Sequence, residues 1–207
     1  DKGFIVTNPN CAIMSFAPPL AALDDKFGVE SVFVTTFQAV SGAGYPGVPT
    51  LDIMDNVLPY IAGEEPKVET EAQKILGKFN GQQIEKADFL VSAQCFRVPV
   101  IDGHTASVRV KLKSTSTLEE VREVISNYPN LNLLSSPNPF MCITDEPDRP
   151  QPRLDRDRGK GMTITIGRLF PDNIFDYRFV GLSHNTVRGA AGAAVLNAEL
   201  LIEKGLI

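Results

Sequence analysis

The chain has 207 residues, 43% of them hydrophobic and 22% charged, which is the composition of a folded globular protein and excludes wholesale disorder. Its 20 basic and 25 acidic residues give a formal charge of −5 at pH 7, whereas a protein that binds nucleic acid needs a basic surface. No apolar run reaches the ~18–20 residues of a membrane helix, so we expect neither a nucleic-acid nor a membrane partner.

The first half of the chain is predicted to alternate helices and strands, from its hydrophobic spacing and β-branched composition. Its first residue is Asp1 rather than Met, and an apolar stretch runs at once into a turn, so we expect a piece of a longer polypeptide. Pro18 and Pro19 predict a kink or a restart in the first helix. The predicted elements are a short strand over 4–6, a helix over 11–27, a long strand over 29–40, a loop over 41–49 and a helix over 64–76.

The second half is predicted to be richer in strands. Thr117 and Glu120 form the capping-box pattern that opens a helix, and Gly205 ends the last helix. Together the elements predict one α+β domain over residues 1–207, a mixed, mostly antiparallel sheet with helices packed on it. The predicted elements are one or two strands over 87–100, strands over 107–113, 162–168 and 175–182, a helix from 118, a mixed-charge loop over 145–161 and a helix over 186–204.

Cys11 is the first candidate for chemistry. It follows a turn and opens the first predicted helix, where backbone N–H groups and the helix dipole would stabilise a thiolate. A nucleophile and an ordinary thiol are equally compatible with this position. Cys95 and Cys142 are interpreted as small buried side chains. Three widely spaced cysteines without a Cys-x-x-Cys pair favour a reducing, cytoplasmic location and give no metal site.

His104 is the second candidate. It follows the turn Asp102-Gly103 and lies seven residues after Arg97, so it could be a general acid or base beside an anion clamp. The alternative is an ordinary surface histidine. His184, at a predicted helix start, is interpreted as structural.

Residues 42–47 read Gly-x-Gly-x-x-Gly after a predicted strand, the pattern of a dinucleotide-binding turn. We reject that assignment because Pro46 and Pro49 stand where a phosphate-binding helix would donate N–H groups, and no βαβ unit follows. Likewise, the sequence Glu64-Glu65-Pro66-Lys67 is by itself an ordinary acidic helix start.

Taken together, several short stretches resemble the aspartate-semialdehyde dehydrogenase family, in its fungal and archaeal branch. The resemblance implies a fold like the C-terminal domain of glyceraldehyde-3-phosphate dehydrogenase, an NADP-binding Rossmann domain that is absent from this chain, and a homodimer or homotetramer. The matching stretches are Asn8-Pro9-Asn10-Cys11, residues 38–47, residues 55–65, Arg97-Val98-Pro99-Val100 with Gly103-His104, residues 151–155 and residues 185–192.

The resemblance further implies the NADPH-dependent conversion of L-aspartyl-4-phosphate to L-aspartate-4-semialdehyde and phosphate, a step in lysine, methionine and threonine biosynthesis. It assigns Cys11 as the nucleophile that forms a thioester, His104 as the acid/base and Gln38 as the residue that orients the intermediate. The remaining implied contacts are Arg97 to the substrate carboxylate, Glu64 to its amino group, Asn10 and Lys67 to the leaving phosphate, and Ser41, Gly42 and Asn185 to the cofactor.

Two other functions stay open. An archaeal-type malonyl-CoA reductase shares the implied scaffold and also uses a cysteine and a histidine. Alternatively, this polypeptide is a dimerisation module that is inactive on its own and pairs through the sheet face and the loop over 151–157. One departure from the family pattern is that Ala12-Ile13 follow Cys11, where many members have a small residue and then threonine.

Overall fold

Eight strands and six α-helices make up the computed structural model, which describes residue 3 and residues 5–207. The strands are β1 (Val29–Gln38), β2 (Lys78–Phe79), β3 (Ile84–Glu85), β4 (Leu90–Arg97), β5 (His104–Leu112), β6 (Met141–Ile143), β7 (Ile164–Pro171) and β8 (Tyr177–Ser183). The helices are α1 (Ala17–Phe27), α2 (Thr50–Ile53), α3 (Glu64–Ile75), α4 (Leu118–Ser126), α5 (Pro152–Asp155) and α6 (Gly192–Glu203).

Six of the strands form one sheet in the order β4-β1-β5-β8-β7-β6, and β2 and β3 form a separate hairpin. The pairs β1–β5, β5–β8 and β7–β8 are antiparallel, whereas β1–β4 and β6–β7 are parallel. This arrangement confirms the predicted mixed, mostly antiparallel sheet.

The hydrophobic core lies between one face of this sheet and helices α1, α3 and α4. Alternate residues of the central strands point into it, as the two-residue period of a strand requires. The opposite face of β1 includes Phe33 and Thr35, which are half-buried, and Phe37, which is exposed. Core residues include Val32 and Val34 of β1, Val108 and Val110 of β5, Leu20 and Leu23 of α1, Val68 and Ala72 of α3, and Val121 and Ile125 of α4.

The predicted first helix is divided into two. A 3₁₀ turn over Ile13–Ser15 comes first, and α1 then begins at Ala17 with Pro18 and Pro19 in its first turn. Proline is tolerated there because the N–H groups of the first turn have no acceptor within the helix. The restart is therefore confirmed, but Cys11 lies outside the α-helix, contrary to the prediction that it opens one.

The other differences from the prediction are short elements. The β2–β3 hairpin and the three-residue strand β6 were not predicted, and α5 interrupts the predicted loop over 145–161. The last helix begins with a π-helical turn over Val187–Ala191. The strand predicted over 4–6 includes residue 4, which lies outside the described residues.

Candidate active site

Cys11 and His104 meet at one end of the sheet, where Cys11 Sγ lies 3.3 Å from His104 Nε2. His104 is the first residue of β5, and Cys11 lies in the turn before the 3₁₀ segment. Glycine in β8 lets that segment approach closely, since a Cβ on Gly181 would lie 1.9 Å from the carbonyl oxygen of Ser15. The backbone thus brings together two residues that are 93 positions apart.

A backbone hydrogen bond fixes the protonation state of His104. The N–H of Ala39 donates to His104 Nδ1 over 3.0 Å, so Nδ1 is the unprotonated nitrogen of the neutral ring. The ring proton is therefore on Nε2 and points towards the sulfur of Cys11. Burial, followed by the charge of Arg97 and the proximity of His184, lowers the pKa of His104 to about 3, so the ring is neutral at physiological pH.

The surroundings of Cys11 do not favour the thiolate in this state of the protein. Burial raises the pKa of Cys11, and the carboxylate of Glu64 raises it further, while the backbone N–H of Cys11 and the guanidinium of Arg97 lower it less. The prediction that a helix dipole ionises Cys11 is therefore wrong, because no α-helix begins there.

Glu64 is a buried carboxylate held by amides. Its Oε1 accepts hydrogen bonds from Asn10 Nδ2 at 2.6 Å and from Gln38 Nε2 at 3.1 Å, and the residue is 8% exposed. In the described part of the chain, no lysine or arginine forms an ion pair with it. A buried anion with neutral partners only is suited to receive a cationic group of a ligand.

Asn10 connects this carboxylate to the nucleophile. Besides donating to Glu64, its side chain accepts the N–H of Ala12 at 2.8 Å, and its own N–H donates to Glu71 Oε2 at 2.8 Å. These bonds shape the turn that presents Cys11, so Asn10 is a positioning residue here. Its predicted contact with phosphate stays a prediction.

Arg97 ends β4 and lies beside the same pair. Its Nη1 donates to the carbonyl oxygen of Ala39 at 2.8 Å. Gly42 packs against both groups, since an added Cβ would lie 2.9 Å from His104 Nε2 and 3.0 Å from Arg97 Nη1. A side chain at residue 42 would therefore displace the imidazole or the guanidinium.

Asn185 joins the two loops around His104. Its Oδ1 accepts the N–H of Gly103, and its Nδ2 donates to Ser41 Oγ, both at 2.8 Å. The side chains of Ser41 and Asn185 therefore bind each other in this structure. Their predicted contacts with a cofactor stay predictions. Lys67 is exposed, one turn along α3 from Glu64, and no described hydrogen bond or ion pair joins it to the site.

The other thiols and the second histidine lie outside the site. Cys95 is 1% exposed, as predicted, and burial raises its pKa to about 11. Cys142 is half-buried and accepts a hydrogen bond from Arg158 Nη1 at 3.5 Å. His184 is 8% exposed, and its Nδ1 lies 3.2 Å from the hydroxyl of Thr186.

Three contributors to the site were missed from the sequence: Ala39, Gly189 and Glu71. Ala39 acts through its backbone N–H, which no side-chain pattern reveals. Gly189 lies directly against the nucleophile, since a Cβ there would be 2.6 Å from that of Cys11. The one sequence signal for Gly189 was that it belongs to the stretch 185–192, which resembles the family.

Within residue 3 and residues 5–207, no cluster of three or more His, Cys, Asp or Glu side chains could hold a metal ion. Within the same residues, no helix is both long and apolar enough to cross a bilayer.

Comparison with known proteins identifies the family. A family model described as the dimerisation domain of semialdehyde dehydrogenase matches residues 20–188. The chain belongs to this semialdehyde dehydrogenase family. The aspartate-semialdehyde dehydrogenases of Archaeoglobus fulgidus and Schizosaccharomyces pombe are 54% and 50% identical to it, over 99% and 100% of this chain. The chain spans only 60% and 61% of the length of these two relatives.

Solved structures of semialdehyde dehydrogenases share the fold. The aspartate semialdehyde dehydrogenase of Candida albicans, solved with NADP, matches with a TM-score of 0.90 and 42% identity, over 99% of this chain and 60% of that one. Aspartate semialdehyde dehydrogenase II of Vibrio cholerae, complexed with ASA, matches with a TM-score of 0.79 and 26% identity, over 96% of this chain and 62% of that one. The predicted family and fold are confirmed.

Proposed function

We propose that the complete protein reduces L-aspartyl-4-phosphate to L-aspartate-4-semialdehyde with NADPH, and that Cys11 is the nucleophile. The observation that carries the proposal is the 3.3 Å contact between Cys11 and His104, with Arg97 and Glu64 beside it. The names of the related proteins and the ASA and NADP complexes of the structural neighbours support this chemistry.

The charges around the thiol suit an amino acid substrate. The guanidinium of Arg97 would bind the α-carboxylate, because its planar fork matches two carboxylate oxygens. Glu64 would bind the α-amino group, which supplies the cation that its buried carboxylate lacks. Asn10 and Lys67 are proposed to contact the phosphate.

Substrate binding would also activate the nucleophile. Glu64 is one of the groups that raise the pKa of Cys11, and an ammonium group bound to Glu64 would offset that effect. The thiol then loses its proton more readily when the correct amino acid is present. A substrate without an amino group, such as malonyl-CoA, would not provide this activation.

The chain's own residues account for the acyl transfer. The thiol proton of Cys11 passes to the phosphate group of the substrate, and the thiolate attacks the acyl carbon. The carbon–oxygen bond to phosphate then breaks, and hydrogen phosphate leaves with the electron pair of that bond, which gives a thioester. His104 Nε2–H lies where it can donate to the thiolate and to the oxygen that develops charge, and Gln38 orients the acyl group. NADPH supplies the hydride that reduces the thioester. The carbon–sulfur bond then breaks and its electron pair returns to the sulfur of Cys11, which releases the aldehyde. The Nε2–H of His104 stabilises the departing thiolate.

The cofactor-facing residues fit a flat ring but not a whole dinucleotide. Gly42 leaves the edge of His104 free of any side chain, and Ser41 and Asn185 lie beside it. We propose that this part of the chain contacts the nicotinamide of NADP. The rest of the dinucleotide would be bound by a Rossmann domain outside this chain, in keeping with the greater length of the relatives.

We further propose a homodimer, formed through the half-buried sheet face and the loop over 151–157, in accordance with the description of the matching family. A homotetramer would be a pair of such dimers. The cytoplasmic location remains part of the proposal, supported by three cysteines that form no disulfide.

Substitution of the two central residues in the complete protein tests the proposal. Cys11→Ser should abolish turnover of L-aspartyl-4-phosphate, and His104→Ala should reduce kcat about 10²–10³-fold, as expected for the loss of one donor to a developing negative charge. Cys142→Ser is the matched control and should retain the wild-type rate. More than a few per cent of the rate in Cys11→Ser, or a loss below threefold in His104→Ala, would contradict the assigned roles. Faster turnover of malonyl-CoA than of aspartyl phosphate would favour the malonyl-CoA reductase function.

A further inference from the structure

Arg188 is a buried arginine whose guanidinium has two nitrogens without a hydrogen-bond partner among the described residues, and it precedes the glycine that packs on Cys11. Arg188 belongs to the π-helical turn Val187–Ala191 and is 8% exposed. Its Nε and Nη1 atoms are buried and have no hydrogen-bond acceptor among the described residues. Burial is the one cause that lowers the pKa of Arg188, to about 10, and no described carboxylate compensates its charge.

The aromatic neighbour of Arg188 cannot replace a counter-charge. The Cζ atom of Arg188 lies 4.8 Å from the ring centroid of Phe140, which is a cation–π contact. Such a contact offsets only part of the free energy lost when a guanidinium leaves water. The carboxylate of Glu199 on α6 is already engaged, since it accepts the N–H and the hydroxyl of Ser135 at 2.9 and 2.6 Å.

A small cavity of about 40 Å³ adjoins this guanidinium. Its lining combines Arg188, Asn130 and Ser136 with apolar side chains and contains no Asp or Glu. The space exceeds the roughly 10–15 Å³ that one water molecule needs. A small ion would therefore fit between Arg188 and the loop over 129–137.

Two side chains of this lining have hydrogen-bond donors that are not used. Asn130 uses one N–H for the carbonyl of Pro137 at 2.6 Å and its Oδ1 for the N–H of Leu131, which leaves its second N–H. The Oγ of Ser136 accepts the N–H of Leu133 at 3.2 Å, which leaves its hydroxyl proton. Together with the uncompensated charge of Arg188, these two donors suit an anion, because a buried charge needs a partner of opposite sign.

We propose that Arg188, together with Asn130 and Ser136, binds a monovalent anion of about the size of chloride in this cavity. The anion neutralises the guanidinium, and its hydrogen bonds connect the loop over 129–137 to the π-helical turn. The next residue of that turn, Gly189, packs directly on Cys11, so the bound ion stabilises the wall behind the nucleophile. The site is separate from the Cys11–His104 pair and does not depend on the proposed activity.

Bromide, which scatters anomalously, tests the site directly. Crystals of the protein soaked in sodium bromide should show an anomalous peak within hydrogen-bond distance of Arg188 Nε or Nη1, and crystals of Arg188→Met should lack it. Water density without an anomalous peak, a peak that persists in Arg188→Met, or a carboxylate from outside this chain bound to Arg188 would each overturn the proposal. Peaks confined to exposed arginines would mean an adventitious ion only.

A solution measurement with matched variants gives the second test. At equal ionic strength, sodium chloride should raise Tm by roughly 2–4 °C relative to sodium gluconate, because an ion that binds the folded state stabilises it. Arg188→Met should lose this difference. Arg168→Met is the control, since Arg168 also lies over an aromatic ring, Phe170 at 5.0 Å, but is exposed, and it should keep the difference. An equal chloride effect in wild type and Arg188→Met would contradict the site.

Discussion

At the scale of single residues, the site depends on which nitrogen of His104 carries the proton. The sequence pointed to Cys11 and His104 as candidates because both follow turns and have reactive side chains. It could not reveal that the backbone N–H of Ala39 occupies Nδ1 and leaves Nε2–H for the sulfur. This geometry makes His104 a hydrogen-bond donor to Cys11 rather than a base that takes the thiol proton.

Nitrogen NMR of the histidine rings measures this directly, because the chain has only two histidines. With His184→Gln to assign the signals, His104 should show a protonated Nε2 and an unprotonated Nδ1, unchanged between about pH 5 and 8. Its pKa near 3 keeps the ring neutral throughout that range, well below the ordinary histidine value of about 6.5. A midpoint near 6.5, or a proton on Nδ1, would contradict the assigned tautomer.

At the scale of elements, the loop over 145–161 does more than carry surface charge. The sequence predicted a mixed-charge loop, and the structure places Asp155 at its buried centre, 1% exposed. Arg149 and Arg158 bind its carboxylate, and so does the N–H of Gln151 at 2.7 Å. The same loop supports the turn before His104, since Arg156 Nη1 donates to the carbonyl of Asp102 at 3.1 Å.

The acid stability of the protein should depend on Asp155. Burial alone would raise its pKa, but the hydrogen bonds from Arg149, Gln151 and Arg158 outweigh burial and bring the pKa to about 2. Because the folded-state pKa is below the unfolded value near 3.9, this carboxylate stabilises the fold above about pH 4, and the contribution is lost as the pH falls towards 2.

Urea unfolding of Asp155→Asn checks this expectation. The variant should be less stable than wild type by roughly 2 kcal/mol at pH 7, a value reduced because both arginines are partly exposed, and the difference should shrink below about pH 4. Asp157→Asn, whose carboxylate is 76% exposed, is the control and should change little. A difference that is independent of pH between 7 and 3 would show that the charge of Asp155 is not what stabilises the loop.

At the scale of the whole molecule, one face of the sheet carries no helix from the described residues. Phe37 of β1 is 36% exposed on that face and stacks on Phe96 of β4, with ring centroids 5.9 Å apart. A half-buried apolar face of this kind is expected to pair with a second copy, which agrees with the family's description as a dimerisation domain.

Sedimentation velocity with variants of exposed phenylalanines tests the dimer. Wild type should sediment as a dimer and Phe37→Glu as a monomer, because the charge would be buried in the interface. Phe79→Glu, on the separate β2–β3 hairpin and 70% exposed, is the control and should remain dimeric. A monomeric wild type, or a dimer that tolerates Phe37→Glu, would rule out this face.

Much of this fold could be predicted because long elements carry their own patterns. The β-branched and aromatic composition of β1, the alternation in β5 and the capping box at Thr117 are local signals, and the structure confirms them. The strand β6 and the β2–β3 hairpin are too short for such signals, and β6 exists only through its pairing with β7. For the same reason, the sequence could nominate Cys11 and His104 but not the close approach of Gly42 and Gly189 to them.

The most direct test of the central claim, that Cys11 carries the acyl group, is the mass of the complete protein after incubation with L-aspartyl-4-phosphate without NADPH. The account predicts a gain of one aspartyl group on the peptide that contains Cys11, its release by hydroxylamine, and no gain in Cys11→Ser. An active protein that stays unlabelled, or that carries the group on Cys142 instead, would contradict it.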